Sequence, residues 1–323
     1  MLRQIARILA LGALALAAAG ASAQDYPTHP VKIIVPFAAG GPADIYARFI
    51  AQRLETTLKQ PFVVEDHPGA GSIIGTDIVA KSPADGYTLL LISNTHTVNE
   101  SLFAKKPFKL MRDFVPIAPL NYSDLVLVVN PSVHVKTLQD LIKLAKAKPG
   151  VLTFASSGPG TPYHMAGELF KAMAGISILH VPYRGSSGAR TDVLGGQVNM
   201  MFDAVTTMTG FVRTGKVRAL ATTGLTRSAV LPDVPTMSEA GVPGYQAVIW
   251  LGLVAPVGTP AAIVSKLNAE ITKIVAEPEV RAQWAKQGAS PMSMTPAEFA
   301  DYINKDIVKW ARIVKISGAR VDR

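Results

Sequence analysis

Two glycine-rich segments concentrate the residues of this sequence that could hold a small anion. The first is Pro36-Phe37-Ala38-Ala39-Gly40-Gly41-Pro42-Ala43-Asp44, and the second is Ser156-Ser157-Gly158-Pro159-Gly160-Thr161-Pro162-Tyr163-His164. Each falls between an apolar run with strand character and a stretch with helical periodicity. Glycine lets the backbone approach a ligand closely. A helix start leaves N–H groups unpaired at the positive end of the dipole, which suits a carboxylate. Either segment alone also reads as an ordinary strand-to-helix turn. Facing one another across a cleft, the pair suits a carboxylate, or a molecule with one at each end. The candidate contacts are Phe37, Ala39, Gly40, Gly41 and Asp44 in the first loop, and Ser157, Gly158, Gly160, Thr161 and His164 in the second. Gly40→Val is expected to abolish binding and leave the fold intact if the first loop touches ligand.

Other side chains add to the candidates. Asp44 falls near the third helical position, where a carboxylate either caps the helix start or meets the ligand. His164, in the first turn of its helix, reads as support for its loop. Asp203 ends an apolar strand; a buried acid there needs a partner, and a place at the cleft edge is expected. Arg184, between Tyr183 and Gly185, is able to grip a carboxylate bidentately or to lie on the surface. Ser93 and Asn94 follow the third strand and complete the set.

Competing chemistries find less support. Gly69-Ala70-Gly71 with Gly75 has G-x-G-x-x-x-G spacing, one residue longer than the dinucleotide fingerprint. The six histidines lack H-x-x-x-H and H-E-x-x-H spacing, so no metal is expected, and no cofactor. No G-x-S-x-G elbow is present, which leaves a secreted hydrolase as a weak enzyme-class alternative.

The elements that must position these loops alternate between strand and helix, which points to an α/β fold. Residues 31–35 read as a buried strand leading into the first loop. A helix follows, with Ala47, Ile50, Leu54 and Leu58 on one stripe and Arg48, Gln52, Glu55 and Lys59 opposite. Strands are expected at 62–65, 88–92, 125–129, 152–155, 198–202 and 218–222, and helices after Thr137, Thr161, Ala189, Thr259 and Thr295. Thr161-Pro162, Thr259-Pro260 and Thr295-Pro296 each place Thr at an N-cap and Pro at the first helical position, and Glu298 completes a capping box with Thr295. Residues 114–129 and 245–255 read as two extended crossings between domains. They imply a discontinuous domain I (24–123 and 248–323) and a domain II (124–247).

The N-terminus supplies the address. Arg3 and Arg7 precede an apolar run over residues 8–19, and Ala21-Ser22-Ala23 matches a small-residue cleavage site. About 12 apolar residues span roughly 18 Å, short of a ~30 Å hydrocarbon core. Residues 1–23 are therefore expected to be a cleaved signal peptide, and the mature chain a periplasmic protein. With no cysteine in the chain there is no disulfide framework and no lipid-anchor site. The formal charge of +9 becomes 9 − 2 = +7 without Arg3 and Arg7. Its Lys and Arg are dispersed, which argues for mild attraction of anionic solutes and against a nucleic-acid partner.

The motifs, taken in order along the whole mature chain, resemble the solute-binding receptors of tripartite tricarboxylate transporters, the Bug receptor family. Pro36–Asp44 looks like that family's first ligand loop. His67-Pro68-Gly69-Ala70-Gly71 and Asp85-Gly86-Tyr87-Thr88-Leu89-Leu90 match its next signatures. Ser157–His164 with Gly167-Glu168 looks like the second ligand loop. Val181-Pro182-Tyr183-Arg184-Gly185, Leu194-Gly195-Gly196-Gln197-Val198, Phe202-Asp203 and Leu231-Pro232-Asp233-Val234-Pro235-Thr236 continue the match. The resemblance implies a two-domain periplasmic binding protein of the type II-like venus-flytrap kind, with a ligand cleft between the lobes and no catalysis. It also implies a carboxylate (di- or tricarboxylate, aromatic acid or acidic amino acid) held largely by backbone groups and bridging water, and a monomer that delivers it to a membrane permease. A ligand-loaded receptor docking on a membrane sensor would use the same closed form. The sequence departs from the family at Gly188-Ala189-Arg190, where Pro-Ala-Leu is usual, at Asn199, often Asp, and at Glu100, often Pro. Arg190 is expected to be solvated on a helix; at the cleft it would add a cationic contact.

Overall fold

The computed structural model describes residues 26–319, so the signal segment expected at residues 1–23 lies outside the described residues. Ten strands run in chain order as β1 (Val31–Val35), β2 (Phe62–Asp66), β3 (Thr88–Ser93), β4 (Phe114–Val129), β5 (Thr153–Ser156), β6 (Leu179–Pro182), β7 (Met200–Ala204), β8 (Arg218–Thr222), β9 (Val248–Pro256) and β10 (Ala289–Pro291). Among them lie α1 (Pro42–Leu58), a 3-10 turn (Ala70–Ser72), α2 (Ile73–Ala80), α3 (Asn94–Leu102), α4 (Leu110–Asp113) and α5 (Leu138–Ala147). There follow α6 (Pro162–Ala174), α7 (Ser186–Leu194), α8 (Val205–Arg213), α9 (Ala261–Ala276), α10 (Pro278–Gln287) and α11 (Pro296–Ser317).

The sheet order is β2-β1-β3-β9-β4-β7-β5-β6, with β8 and β10 also paired to β4. The long strand β4 belongs to two sheets. Phe114–Asp124 pairs antiparallel with β9, ending at Asp124 opposite Val248, whereas Leu125–Val129 pairs with β7 and β8. Parallel strands flank both parts: β1 lies between β2 and β3, and β5 between β6 and β7.

Burial on both sheet faces explains the near-continuous apolar strands. In β1, Val31, Ile33 and Val35 enter one cluster with the α1 stripe and α9, while Ile34 enters another with Phe299 and Ile303 of α11. Beyond the sheet change, Leu125, Leu127 and Val129 pack with α5 and α6, and Val126 and Val128 with Ala189 and Val193 of α7. The result is an α/β fold of two lobes, each with its own core. A small fifth cluster spans both, joining Val98 of α3 and Trp310 of α11 to Met165 of α6.

Several elements differ from expectation. Helix α7 begins at Ser186 and not after Ala189, because Gly185 is extended and the burial of Ala189 and Val193 outweighs the poor propensity of Gly188. Thr259 is not an N-cap: its hydroxyl donates back to the Pro256 carbonyl at 2.8 Å and the helix starts at Ala261. Thr161 and Thr295 do cap their helices, and Glu298 closes its box. The strand expected at 198–202 runs Met200–Ala204, which puts Asp203 inside it. The strands β6 and β10 and the helices α2, α3, α4, α8 and α10 were not expected; the two strands are only four and three residues long.

Asp124 sits where β4 changes sheets, and burial pushes its carboxyl up to about 6 from an ordinary 3.8. The folded state therefore holds this proton more tightly than the unfolded chain. The stability it contributes is complete below about pH 4 and is lost as pH rises through 6. Asp124→Asn should raise the melting temperature by a few degrees at pH 7.5 and leave it unchanged at pH 4. Paired melts across that range check this; equal shifts at both pH values would contradict it.

Candidate functional site

The two glycine-rich loops turn out to be one device built twice. Gly40 and Gly160 both take φ of +76°, the left-handed region. Each donates its N–H to a side chain four residues on: Gly40 to Asp44 Oδ2 at 2.8 Å, and Gly160 to His164 Nδ1 at 3.1 Å. The next residue, Gly41 or Thr161, is extended and leads into a helix whose first residue is proline. Pro42 and Pro162 have no N–H. Ile45 and Met165 already donate to Gly41 and Thr161. The amides of Ala43 and Tyr163, at the second helical position, have no intrahelical acceptor.

These two helix starts meet at one cavity of about 20 Å³ between the lobes, lined by Ala43 and Pro42 on one side and Tyr163 and Pro162 on the other. That volume holds about one water. Ser93, Thr95, Ile249 and Leu251 contribute from the strand side, and Phe37, Gly41, Ser157 and Gly185 from the loops. A second cavity of about 320 Å³ adjoins it through Phe37 and Ser157, walled by the Gly69–Ser72 turn, the second loop, Tyr183 and Arg184.

The lobes touch on both sides of this cleft. Ser187 Oγ of α7 donates to the Ala39 carbonyl at 2.8 Å, and Gly185 lies against Ala38. On the other side Gly160 packs on Asn99, and Gly71 on the Pro159 carbonyl.

Buried polar groups hold the loops in shape. His164 is 3% exposed, and burial, with His180 and Lys171 nearby, pushes its imidazole down to about 3. It is neutral, which leaves Nδ1 free to accept from Gly160. In the first lobe burial likewise pushes His96 down to about 4, and its Nδ1 accepts the Ser93 amide at 3.2 Å. Ser156 Oγ lies 2.6 Å from His180 Nε2, a Ser–His contact, but Ser156 is fully buried and accepts the Gly158 amide; it meets no substrate. Beneath Tyr163, Arg190 Nε donates to Asp203 Oδ2 at 2.8 Å, and Asp203 is fully buried. Among the described residues, no group of three or more His, Asp or Glu is placed to hold a metal, and no helix is long and apolar enough to cross a membrane.

A family profile described as "Tripartite tricarboxylate transporter family receptor" matches residues 46–319. BugT of Bordetella pertussis is 40% identical over 321 residues, covering 98% of this chain and 98% of that protein. The chain belongs to the tripartite tricarboxylate transporter receptor family. Two solved structures share the architecture. Rpa4515 of Rhodopseudomonas palustris with adipate superposes with a TM-score of 0.89 at 33% identity, over 92% of this chain and 100% of that one. MatC of the same organism with bound malate gives 0.85 at 32% identity, over 90% and 100%. The chain is thus a solute-binding receptor of the periplasmic kind with a venus-flytrap fold, and not an enzyme.

Within this receptor the predicted residues separate into three groups. Phe37, Gly41, Ser93, Ser157 and Gly185 line the inner cavity, while Gly158, Thr161, Tyr183 and Arg184 line the outer one, with Phe37 and Ser157 shared. Gly40, Asp44, Gly160 and His164 shape the loops from within, and Ala39 receives the interlobe bond from Ser187. Asn94 and Asp203 reach neither cavity: Asn94 Nδ2 donates to the Val248 carbonyl at 3.0 Å, and Asp203 is committed to Arg190. The cleft-edge place expected for Asp203 is corrected accordingly, as is the solvated Arg190, whose side chain is only 11% exposed. Gly40→Val is also a poor probe of contact, because its left-handed φ strains any L side chain. Sequence reasoning missed Ala43, Tyr163, Thr95, Ser186, Ile249 and Leu251; the Pro preceding Ala43 and Tyr163 was the available signal for the first two.

Proposed function

We propose that the mature receptor captures a small organic carboxylate between its two helix-start loops and delivers it to the membrane permease of a tripartite tricarboxylate-type transporter. The carrying observation is the convergence of the Ala43 and Tyr163 helix starts on one cavity. Two positive dipole ends with free amides favour an anion, and no acidic side chain lines that cavity. The ligands of the two R. palustris relatives, adipate and malate, are both dicarboxylates.

A cavity of about 20 Å³ is too small for either molecule, so the lobes must part to admit one. The chain between them passes at Asp124–Leu125 and again just before Val248. We place the hinge there, with lobe I as residues 24–123 and 248–323 and lobe II as 124–247. Cleavage after Ala23 would release an untethered monomer able to diffuse from capture to delivery.

Thermal-shift screening of the mature protein against di- and tricarboxylates, aromatic acids and acidic amino acids tests this. A ligand at about 100 times its Kd should stabilise by roughly 2.7 kcal/mol and raise the melting point by several degrees. Mass spectrometry should recover it unchanged. A converted product, or no shift with any acid, would overturn the reading.

A further inference from the structure

We infer that a cavity at the hinge, with Asp124 on its wall, is a second binding site, for a small organic ammonium ion whose occupancy draws the lobes together. The site does not depend on what the cleft holds; its effect on the lobes rests on the hinge placed above. This cavity has a volume of about 350 Å³ and shares no lining residue with either cleft cavity. Both crossings border it, the first through residues 122–124 of β4 and the second through Gln246 and Val248. Lobe II adds residues 224–229 and lobe I residues 288–290. Gly288 of lobe I lies against Val205 and Val230 of lobe II, so the two lobes also touch here.

Asp124 supplies the charge. It is half-buried, and its carboxyl makes no hydrogen bond or ion pair among the described residues. An acid withdrawn from water without a partner is costly. Gly224 makes the room for it, because a Cβ there would run into the carboxylate. The other ionisable groups on the walls are Tyr122 and Arg227, and the Arg227 guanidinium is already paired with Glu239 at 2.9 Å. One carboxylate is therefore left on the cavity wall with no cation beside it.

The surroundings of that carboxylate select the kind of cation. A hard divalent ion gathers several oxygen ligands at fixed distances, and no group of three or more His, Asp or Glu is placed to hold one among the described residues. An alkylammonium asks for less: a carboxylate to meet its charge, and acceptors for its remaining N–H groups. Ser123 and Ser290 line the same cavity, and Tyr122 and Leu225, both exposed, offer apolar surface to a short carbon chain. Because both lobes form the walls, an occupant that fits them favours the arrangement in which the lobes are together.

The test titrates n-butylamine and n-butanol, charged and neutral versions of one skeleton, into the mature protein with no acid present, followed by NMR. At pH 7.5 the wild type should prefer the amine by about tenfold or more, a charge-assisted pair's worth. Asp124→Asn keeps the side-chain shape, its melting curve verifies that it folds, and in it the preference should fall towards one. The wild type itself gives a second readout. Burial pushes the Asp124 carboxyl up to about 6, whereas Glu239 is held below its usual range by the Thr236 amide and Arg227. An alkylammonium, like a lysine side chain, keeps its charge across that range. Amine binding should therefore weaken about tenfold or more between pH 7.5 and pH 4.5. Solution scattering should show contraction when butylamine is added at pH 7.5. No amine binding, a preference unchanged in Asp124→Asn, or affinity equal at the two pH values overturns the site. Binding without contraction overturns its effect on the lobes. Neither result bears on the carboxylate reading, which stands or falls by the acid screen.

Discussion

Gly185→Val should leave the receptor folded and unable to close. Gly185 has φ of 175°, extended backbone that any residue adopts, so a side chain there is not strained in itself. Its obstacle lies across the cleft, where a Cβ would collide with the Cβ of Ala38 on the first loop. That clash exists only when the lobes are together. Overpacking of this kind costs about 1–3 kcal/mol, which translates to roughly ten- to hundredfold weaker ligand binding. The unliganded melting temperature should stay within a degree or two of wild type, and solution scattering should show no contraction on adding ligand. Gly185→Ala should weaken binding in the same direction and by less. Wild-type affinity in Gly185→Val would mean that the observed lobe contact is not the liganded one.

The largest loss of stability is expected from Arg190→Leu. Asp203 is fully buried and Arg190 is the cation beside it; the Ala204 amide is its other close donor at 2.8 Å. Removing one partner of a buried pair typically costs about 3–5 kcal/mol, because the other charge is left without compensation. In a chain of this size that corresponds to a melting point lower by roughly ten degrees. Burial already pushes the Asp203 carboxyl above its usual range against the pull of Arg190. Without the guanidinium it rises further, so the folded variant holds the proton more tightly than its unfolded chain does. The deficit should therefore be greatest at pH 8 and shrink as the pH falls. Arg190→Leu with Asp203→Asn should regain most of the lost stability at pH 8. A single variant as stable as wild type at pH 8 would contradict this account of the pair.

What the sequence revealed and what it hid follow a physical line. The loops, the strands leading into them and the caps at Thr161 and Thr295 were legible because each is a local pattern: apolar run, glycine, Thr-Pro, helical stripe. Thr259-Pro260 carries the same local pattern and fails, because its hydroxyl finds the Pro256 carbonyl in the turn behind it. Pairings between distant residues were not legible. Arg190 looks like a surface helix residue until β7 brings Asp203 beneath it. The role of Gly185 depends on Ala38 in the other lobe, and no spacing rule reports that contact.

The loops themselves show the same division. Their glycines suggested backbone approach to a ligand, and the structure turns the Gly40 and Gly160 amides inward to Asp44 and His164. The amides of Ala43 and Tyr163, three residues further along each loop, have no intrahelical acceptor. Proline at the first helical position is what leaves them next in line, a consequence visible only once both helix starts are seen to share a cavity.

The central claim is that those two helix starts hold a carboxylate. Calorimetric titration of the mature protein with the best-binding acid, and with the amide of the same skeleton at the anchoring carboxyl, tests it most directly. The amide keeps the shape and loses the charge, so its binding should be weaker by about a hundredfold or more, as befits a buried charge-assisted site. Equal binding of acid and amide would contradict the claim.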